Sequence, residues 1–229
     1  VDGIVIATSA ETHYTIAVEA LKHGKNIFIE KPISTKLEHA ERIINLAKKN
    51  RCHLMIGHLM HYHPSFIKLK EIVRNKKYGK IVNISSIRQS LGKFRTNENI
   101  IWSFAPHDLS MIFSLVSSGV KELHCSKDYI INRKIADKAR LFLKFKNGIN
   151  ADINVSWISP SKEQKLVVTF EKGIITFDDT EDWDRKLAIT NFSIDNVFKK
   201  NKNSKPKKKY SPTKLSEPLK LECKYFIDL

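Results

Sequence analysis

Short apolar runs alternate with helically spaced apolar positions in the first part of the chain. Three runs, at residues 4–8, 26–30 and 53–57, have the apolar continuity of strands buried on both faces of a parallel sheet. Residues 13–23 and 37–50 lie between these runs and carry apolar side chains at helical spacing. Strands that alternate with helices of this length favour right-handed crossovers, so we predict an α/β unit with a parallel sheet.

The pattern changes after residue 78, where strand-like segments replace this alternation. The turns Lys146-Asn147-Gly148 and Glu171-Lys172-Gly173 separate successive segments. One helix is predicted among them, over residues 106–117. The predicted strands are 81–88, 122–131, 139–145, 149–157, 165–170 and 174–178.

Two domains of different class follow from this change of pattern. We predict a partial α/β domain over residues 1–78, followed by a mostly antiparallel α+β domain with an open sheet over residues 79–229. Within the second domain, residues 191–218 are polar and lysine-rich, which is typical of an excursion from a core.

The chain of 229 residues is strongly basic, with a formal net charge of +16. Its densest lysine cluster, within residues 199–209, has no arginine and almost no aromatic residue. Surfaces that bind nucleic acid usually combine charge with Arg forks or stacking rings. Nucleic-acid binding is therefore a minor alternative, and the basic surface is better suited to steering an anionic ligand.

Neither a membrane nor a disulfide framework is indicated by the sequence. No apolar stretch reaches the roughly 20 residues that span a bilayer. The three cysteines, Cys52, Cys125 and Cys223, are widely separated and odd in number, which argues against disulfide pairing and against a clustered zinc site. We predict a reducing, cytoplasmic compartment.

The strand predicted at residues 26–30 stops abruptly at an acid, a base and a proline, Glu30-Lys31-Pro32. In open α/β sheets the ligand crevice lies just beyond the carboxyl ends of the strands. Glu30 and Lys31 are therefore predicted to face a cofactor and a substrate. A solvated Glu–Lys pair at a strand exit is the alternative, since a motif is a hypothesis until its context supports it.

Several motifs together resemble the Gfo/Idh/MocA oxidoreductases, a family named for glucose-fructose oxidoreductase and inositol 2-dehydrogenase. The likeness extends to enzymes that oxidise nucleotide-linked N-acetylated amino sugars, such as UDP-N-acetylglucosamine-type 3-dehydrogenases. It implies a Rossmann half, then a large open sheet that supplies the substrate wall and often a homo-oligomer interface. The motifs are Ala7-Thr8 with His13, Glu30-Lys31-Pro32, Gly57-His58, Tyr62-His63-Pro64, Trp102–Asp108, and Glu217-Pro218-Leu219 with Glu222-Cys223.

The resemblance implies hydride transfer between a sugar carbon and the nicotinamide of NAD or NADP. Lys31 is the expected proton acceptor, because the positive nicotinamide of NAD⁺ would lower the pKa of a nearby lysine. His107 would assist it or substitute for it. Glu30 is expected to contact the nicotinamide ribose, and Pro32 to follow a cis peptide bond.

One departure from the family pattern concerns His107. The family commonly orients this histidine with an aspartate four residues earlier, where this chain has Ser103. Without that carboxylate, the basicity of His107 as a sole general base is in doubt. A non-catalytic member that binds a sugar or a cofactor is therefore the second functional interpretation. Asp108, next to His107, is expected to be a helix cap or a substrate contact.

The remaining site residues are assigned by position. Arg88, Lys93 and Arg95 are candidates for the phosphates or the carboxylate of a nucleotide sugar, because arginine offers paired donors to such groups; a solvated loop explains these three nearly as well. The expected cofactor contacts are Ala7, Thr8, His13, Glu30, Lys31 and His58. The expected substrate contacts are Tyr62, His63, Arg88, Lys93, Arg95, Trp102 and His107.

Two further features shape these expectations. The cluster formed by His58, His61 and His63 suggests a metal site, but alternation along the chain would separate the three rings, so no metal is predicted. The sequence contains no Gly-rich dinucleotide fingerprint. We therefore expect the chain to be an internal fragment of a longer enzyme, cut at both ends.

Overall fold

The computed structural model describes residues 1–92, 94–95, 98–191 and 208–229. In chain order its elements are β1 (Gly3–Ile6), α1 (Ala10–Lys22), β2 (Asn26–Glu30), α2 (Leu37–Lys49), β3 (Leu54–Gly57), a 3₁₀ turn (Leu59–Tyr62), α3 (Pro64–Arg74), β4 (Ile81–Leu91), α4 (Ile100–Leu115), β5 (Val120–Asp128), β6 (Lys138–Phe145), β7 (Asn150–Ser156), β8 (Ile158–Phe170), β9 (Gly173–Asp178), β10 (Leu187–Asn191), β11 (Lys208–Tyr210) and α5 (Pro218–Ile227).

These elements form two compact units. Unit 1 contains Val1–Tyr62 and Ser216–Leu229, and unit 2 contains His63–Leu215. The division falls earlier than the predicted boundary at residue 78, because α3 packs against β9, β10 and α4. The C-terminal helix α5 belongs with unit 1, where it contacts the 3₁₀ turn.

Unit 1 has a parallel sheet in the order β1-β2-β3, as predicted. Alternation along the strands gives the sheet two faces. Side chains of one face form a buried cluster with α1 and α2: Ile6, Ala17, Ala20, Leu21, Ile27, Ile29, Ile43 and Ala47. On the other face, the rings of Phe28 and Phe226 lie 5.7 Å apart. A Cβ on Gly3 would lie 3.2 Å from the Phe226 ring, so glycine lets α5 pack closely on this face.

Unit 2 has an eight-stranded sheet in the order β11-β10-β9-β8-β4-β7-β6-β5. Its strand pairs are antiparallel except β4 with β7, which are parallel. Helix α4 packs on β4, β6 and β7. Strict alternation explains this packing, since β6 buries every second side chain: Ala139, Leu141, Leu143 and Phe145. The predicted fold class, a Rossmann-type sheet with a mostly antiparallel open sheet, is confirmed.

Two predicted boundaries in unit 2 were wrong. Helix α4 begins at Ile100 and contains Pro106, whereas the prediction started the helix at that proline. The side chain of Asn99 provides the cap by accepting hydrogen bonds from the backbone N–H groups of Ile101 and Trp102. Strand β8 begins seven residues earlier than predicted, at Ile158.

The predicted excursion at 191–218 is also partly regular. Its residues 208–210 form β11, which pairs with β10 in an antiparallel ladder. Residues 192–207, with most of the lysine cluster, lie outside the described part of the chain.

Candidate active site

Parallel pairing in unit 1 brings three strand ends to one edge of the sheet. Ile6 is in register with Ile29, and Glu30 is in register with Gly57. The residues that follow the three strands are those expected to contact a cofactor: Ala7, Thr8, Glu30, Lys31 and His58. Ala7 and Thr8 are exposed, and Glu30, Lys31 and His58 are half-buried. This edge is where ligands bind in open α/β sheets.

His13 joins two of these strand ends. Its ring is 1% exposed, with Nδ1 2.9 Å from the carbonyl oxygen of Pro32 and Nε2 3.1 Å from that of Thr8. Each ring nitrogen thus lies within hydrogen-bond distance of a backbone carbonyl of unit 1, and whichever nitrogen carries the proton donates to it. The structure gives His13 a positioning role at the edge, and a direct contact with a cofactor stays a prediction.

The Glu30-Lys31-Pro32 segment has the geometry expected from the resemblance. The Lys31–Pro32 peptide bond is cis, which confirms that prediction. Glu30 lies on the same sheet face as Phe28, two residues earlier on the strand. A Cβ on Gly57 would lie 2.9 Å from Oε2 of Glu30, so the carboxyl group lies directly over the bare backbone of Gly57. Any side chain at Gly57 would displace Glu30.

The surroundings of His58 disfavour a positive charge on its ring. Burial and then the neighbouring charge of Lys31 hold the pKa of His58 below its ordinary value of 6.5. Its Nδ1 is buried and has no hydrogen-bond partner among the residues the structure describes. The rings of His58 and His61 are 6.0 Å apart. Within the described residues, no three His, Cys, Asp or Glu side chains gather as potential metal ligands.

Two residues of α5 without a role predicted from the sequence, Glu222 and Tyr225, lie beside this edge. Glu222 is fully buried, and neither of its carboxyl oxygens has a hydrogen-bond partner in the described ranges. Burial and then the charge of Glu30 raise the pKa of Glu222 to about 7. The ring of Tyr225 lies 5.7 Å from that of Tyr62. Burial, then Glu222 and Tyr225, raise the pKa of Tyr62 to about 12, so its hydroxyl stays protonated.

In unit 2, Arg88 forms a buried ion pair with Asp108. Its Nε donates to Oδ2 of Asp108 at 2.7 Å, and the Ser86 hydroxyl donates to Oδ1 at 2.6 Å. The side chains of Arg88 and Asp108 are only 7% and 1% exposed. Asp108 is therefore an internal ion-pair partner in the middle of α4, and the predicted role as a cap is wrong. The predicted phosphate contact of Arg88 competes with this pairing.

His63 is the N-cap of α3. Its Nδ1 accepts a hydrogen bond from the backbone N–H of Ser65, so the ring proton lies on Nε2, 3.4 Å from Oδ1 of Asp179. The ring packs between Phe177 and Trp183 at centroid distances of 4.9 and 5.1 Å and is 3% exposed. These contacts make His63 a structural residue of unit 2, and its predicted contact with substrate stays a prediction.

The other predicted substrate residues of unit 2 differ in exposure. Trp102 is 42% exposed. His107 is half-buried in the interior of α4, whereas a helix that started at residue 106, as predicted, would place it near the N-terminus. Ser103 lies one turn before His107 and is 4% exposed. The exposed Arg95 pairs with Glu98 at 2.9 Å. Lys93 lies outside the described residues.

Unit 1, with its strand ends and Glu30-Lys31 at one edge, has the architecture of a dinucleotide-binding α/β unit. Residues 1–58 match the family described as "Oxidoreductase family, NAD-binding Rossmann fold", and residues 66–176 match the "GFO/IDH/MocA C-terminal domain". These two matches span more than half of the chain. The chain belongs to the Gfo/Idh/MocA oxidoreductase family.

The relatives are named for two kinds of substrate, an inositol and a UDP-linked sugar. The chain is 28% identical over 193 residues to the myo-inositol 2-dehydrogenase of Thermotoga maritima, covering 80% of this chain and 58% of that protein. It is 25% identical over 169 residues to the UDP-N-acetylglucosamine 3-dehydrogenase of Acidithiobacillus ferrooxidans, covering 72% of this chain and 52% of that enzyme. The chain thus spans little more than half the length of these relatives.

Solved structures share the fold over the whole chain. The structure of the Acidithiobacillus ferrooxidans UDP-N-acetylglucosamine 3-dehydrogenase matches with a TM-score of 0.85 at 20% identity, over 100% of this chain and 69% of that one. An inositol dehydrogenase homologue from Azotobacter vinelandii, complexed with NADH and myo-inositol, matches with a TM-score of 0.78 at 15% identity, over 92% of this chain and 56% of that one. No described helix is long and apolar enough to cross a bilayer.

Proposed function

We propose that this chain acts in an NAD(P)-dependent dehydrogenase that moves a hydride between nicotinamide and a hydroxyl-bearing carbon of a sugar or cyclic polyol. The observation that carries this proposal is the edge of unit 1, where Glu30 ends β2, Lys31 follows it, and His58 follows the adjacent parallel strand β3. Family membership and the relatives named for dehydrogenation support it.

The side chains at this edge suit a nicotinamide nucleotide. The Glu30 carboxylate accepts hydrogen bonds, which is what the two hydroxyls of a ribose require. Ala7 and Thr8 offer exposed backbone at the end of β1. When bound, the cofactor would supply the hydride acceptor or donor.

Lys31 is proposed to hold the proton that leaves the substrate hydroxyl. Its position directly after β2, at the edge where ligands bind in open α/β sheets, supports this role. His107 is a proposed proton-transfer group on the family resemblance alone, and Trp102 and Tyr62 are proposed substrate contacts on the same ground.

Replacement of Lys31 by methionine tests the mechanism. In the polypeptide as its gene encodes it, Lys31→Met is expected to lower kcat by about 10²–10⁴-fold, the usual contribution of a general acid or base. NADH binding should persist, because the change leaves Glu30 intact. Lys48→Met, on the exposed face of α2, is the matched control and should keep wild-type kcat. Unchanged turnover in Lys31→Met would remove Lys31 from the mechanism.

The finer proposal is that the substrate is a nucleotide-linked amino sugar. The relative and the solved structure named for UDP-N-acetylglucosamine support it. The pairing of Arg88 with Asp108 weakens it, because that arginine was one of the three candidates for binding the phosphates. Inositols are the competing class. A panel of UDP-sugars and inositols with NAD⁺ and NADP⁺ decides, and turnover of inositols alone would overturn the nucleotide-sugar proposal.

A sugar- or cofactor-binding protein without turnover is the second candidate. Ser103, in place of an acid that would orient His107, is the observation that favours it. Saturable binding of NADH, without hydride transfer from any member of the panel to NAD⁺ or NADP⁺, would establish this role. A homo-oligomer formed through the open sheet is also proposed, and light scattering of the purified protein tests it.

A further inference from the structure

A buried acid on α5 faces the same sheet edge as Glu30. Phe226 of this helix packs on Phe28, and Glu222 precedes Phe226 by four residues, so both side chains lie on one helical face. Four helical residues rise about 6 Å, and two strand residues advance about 6.6 Å. The distance from Phe226 back to Glu222 along α5 therefore matches the distance from Phe28 forward to Glu30 along β2. This match accounts for the effect of the Glu30 charge on the pKa of Glu222.

The surroundings of Glu222 do not suit a second negative charge. The residue is 0% exposed, and both its oxygens lack a hydrogen-bond donor in the part of the chain that is described. A buried ionised carboxylate without donors is strongly unfavourable, and a neighbouring carboxylate adds repulsion. Among the described residues, Glu30 from β2 raises the pKa of Glu222, and Glu222 in turn acts on Tyr62 from the 3₁₀ turn. Neither Glu30 nor Tyr62 supplies a positive charge.

Glu30 has little freedom beside this acid. Its carboxyl group lies over Gly57, where even a Cβ would come within 2.9 Å of Oε2. Glu30 is thus confined between the end of β3 and the face covered by α5.

We propose that Glu222 is a positioning residue: it remains a neutral acid beside the charged Glu30 carboxylate, keeps that carboxylate at the strand edge, and weakens cofactor binding when it loses its proton. This inference rests on the proposed function, because the ligand of Glu30 is taken to be the nicotinamide cofactor. Glu222 itself needs no contact with that ligand.

A direct test is a ¹³C NMR titration of the labelled glutamate carboxyls. One carboxyl that titrates near neutral pH is expected in the wild type and in Glu217→Gln, a control at an exposed position next to the same helix. That signal should vanish in Glu222→Gln. Its persistence in Glu222→Gln, or its absence from the wild type, would overturn the proposal.

The consequence for binding is measured with NADH. If the cofactor binds only when Glu222 is protonated, a pKa of about 7 predicts that Kd rises about tenfold between about pH 6 and pH 8. Glu222→Gln and Glu222→Met should both keep the low-pH Kd throughout, since both are permanently neutral. The same rise in both variants would contradict the positioning role.

The two proposals fail in different ways. If NADH binds to none of the variants, the proposed function is contradicted, and the carboxyl titration still decides whether Glu222 holds a proton beside Glu30. If NADH binds with the same pH dependence in every variant, the function stands and the role of Glu222 is overturned. Glu222→Met also guards against a folding defect specific to glutamine, because methionine has a similar length and suits a buried site.

Discussion

Replacement of Arg88 by methionine should strongly destabilise unit 2. The guanidinium Nε lies 2.7 Å from Oδ2 of Asp108, and both side chains are more than nine-tenths buried. Arg88→Met would leave the Asp108 carboxylate buried with the Ser86 hydroxyl as its remaining donor at Oδ1. Removal of one partner from such a pair costs about 3–5 kcal/mol, because the other charge is left uncompensated.

Urea unfolding followed by tryptophan fluorescence measures this cost. The three tryptophans, Trp102, Trp157 and Trp183, all lie in unit 2, so the signal reports on that unit. Arg140→Met is the control, because Arg140 is exposed on the same sheet and bonds only to Asn154 in the described structure, so its loss should cost less than about 1 kcal/mol.

A second substitution separates charge from packing. Arg88→Met combined with Asp108→Asn removes both charges and should recover a large part of the lost stability. A cost below about 1 kcal/mol for Arg88→Met, or no recovery in the double variant, would refute the buried-pair interpretation. Loss of nucleotide-sugar affinity with full stability would instead favour the phosphate contact predicted from the sequence.

Three further outcomes follow from buried or paired acids. Asp137 accepts hydrogen bonds from the backbone N–H groups of residues 130–132 and from Trp157, so Asp137→Asn should cost about 2 kcal/mol in the same urea assay. Burial raises the pKa values of Asp137 and Asp179, but hydrogen bonds outweigh it and lower both, so unit 2 should lose stability as pH falls below their ordinary 3.8 in acid titrations. Glu222 gives the opposite pH dependence. Its raised pKa means that the free energy of unfolding of unit 1 falls by about 3 kcal/mol as pH rises from 4.5 to about 7. Amide hydrogen exchange of β1–β3 should show this loss in the wild type but not in Glu222→Gln.

Local patterns were enough to predict the sheet of unit 1. The bounds of β2 agree at both ends, because an uninterrupted apolar run ends at charged residues and a proline. The start of α4 was missed because a proline is common in the first turn of a helix, yet Pro106 occupies an interior position. Strand β11 was missed because its three residues, Lys208–Tyr210, have no apolar alternation and are held by pairing with β10.

The site was predictable only where it is local in sequence. Glu30 and Lys31 end a strand, and their position at the edge follows from that fact. The pairing of Arg88 with Asp108 joins a strand to a helix, and no spacing rule connects the two positions. Glu222 had one usable signal, an acid one turn before Phe226 on the apolar face of an amphipathic helix, where a charge is unexpected.

Three of the buried acids, Asp108, Asp137 and Glu222, differ in how their negative charge is balanced, and this difference separates a structural role from a functional one. Asp108 has a guanidinium and a hydroxyl, and Asp137 has three backbone N–H groups and an indole. Both are stabilised as anions, so both suit a permanent structural role. Glu222 is equally buried but has no donor among the described residues, and its neighbour Glu30 is another acid. Such surroundings favour the protonated acid over the carboxylate. Of these three acids, the one whose charge is least stabilised by the fold is therefore the one that lies beside the edge where a cofactor is proposed to bind.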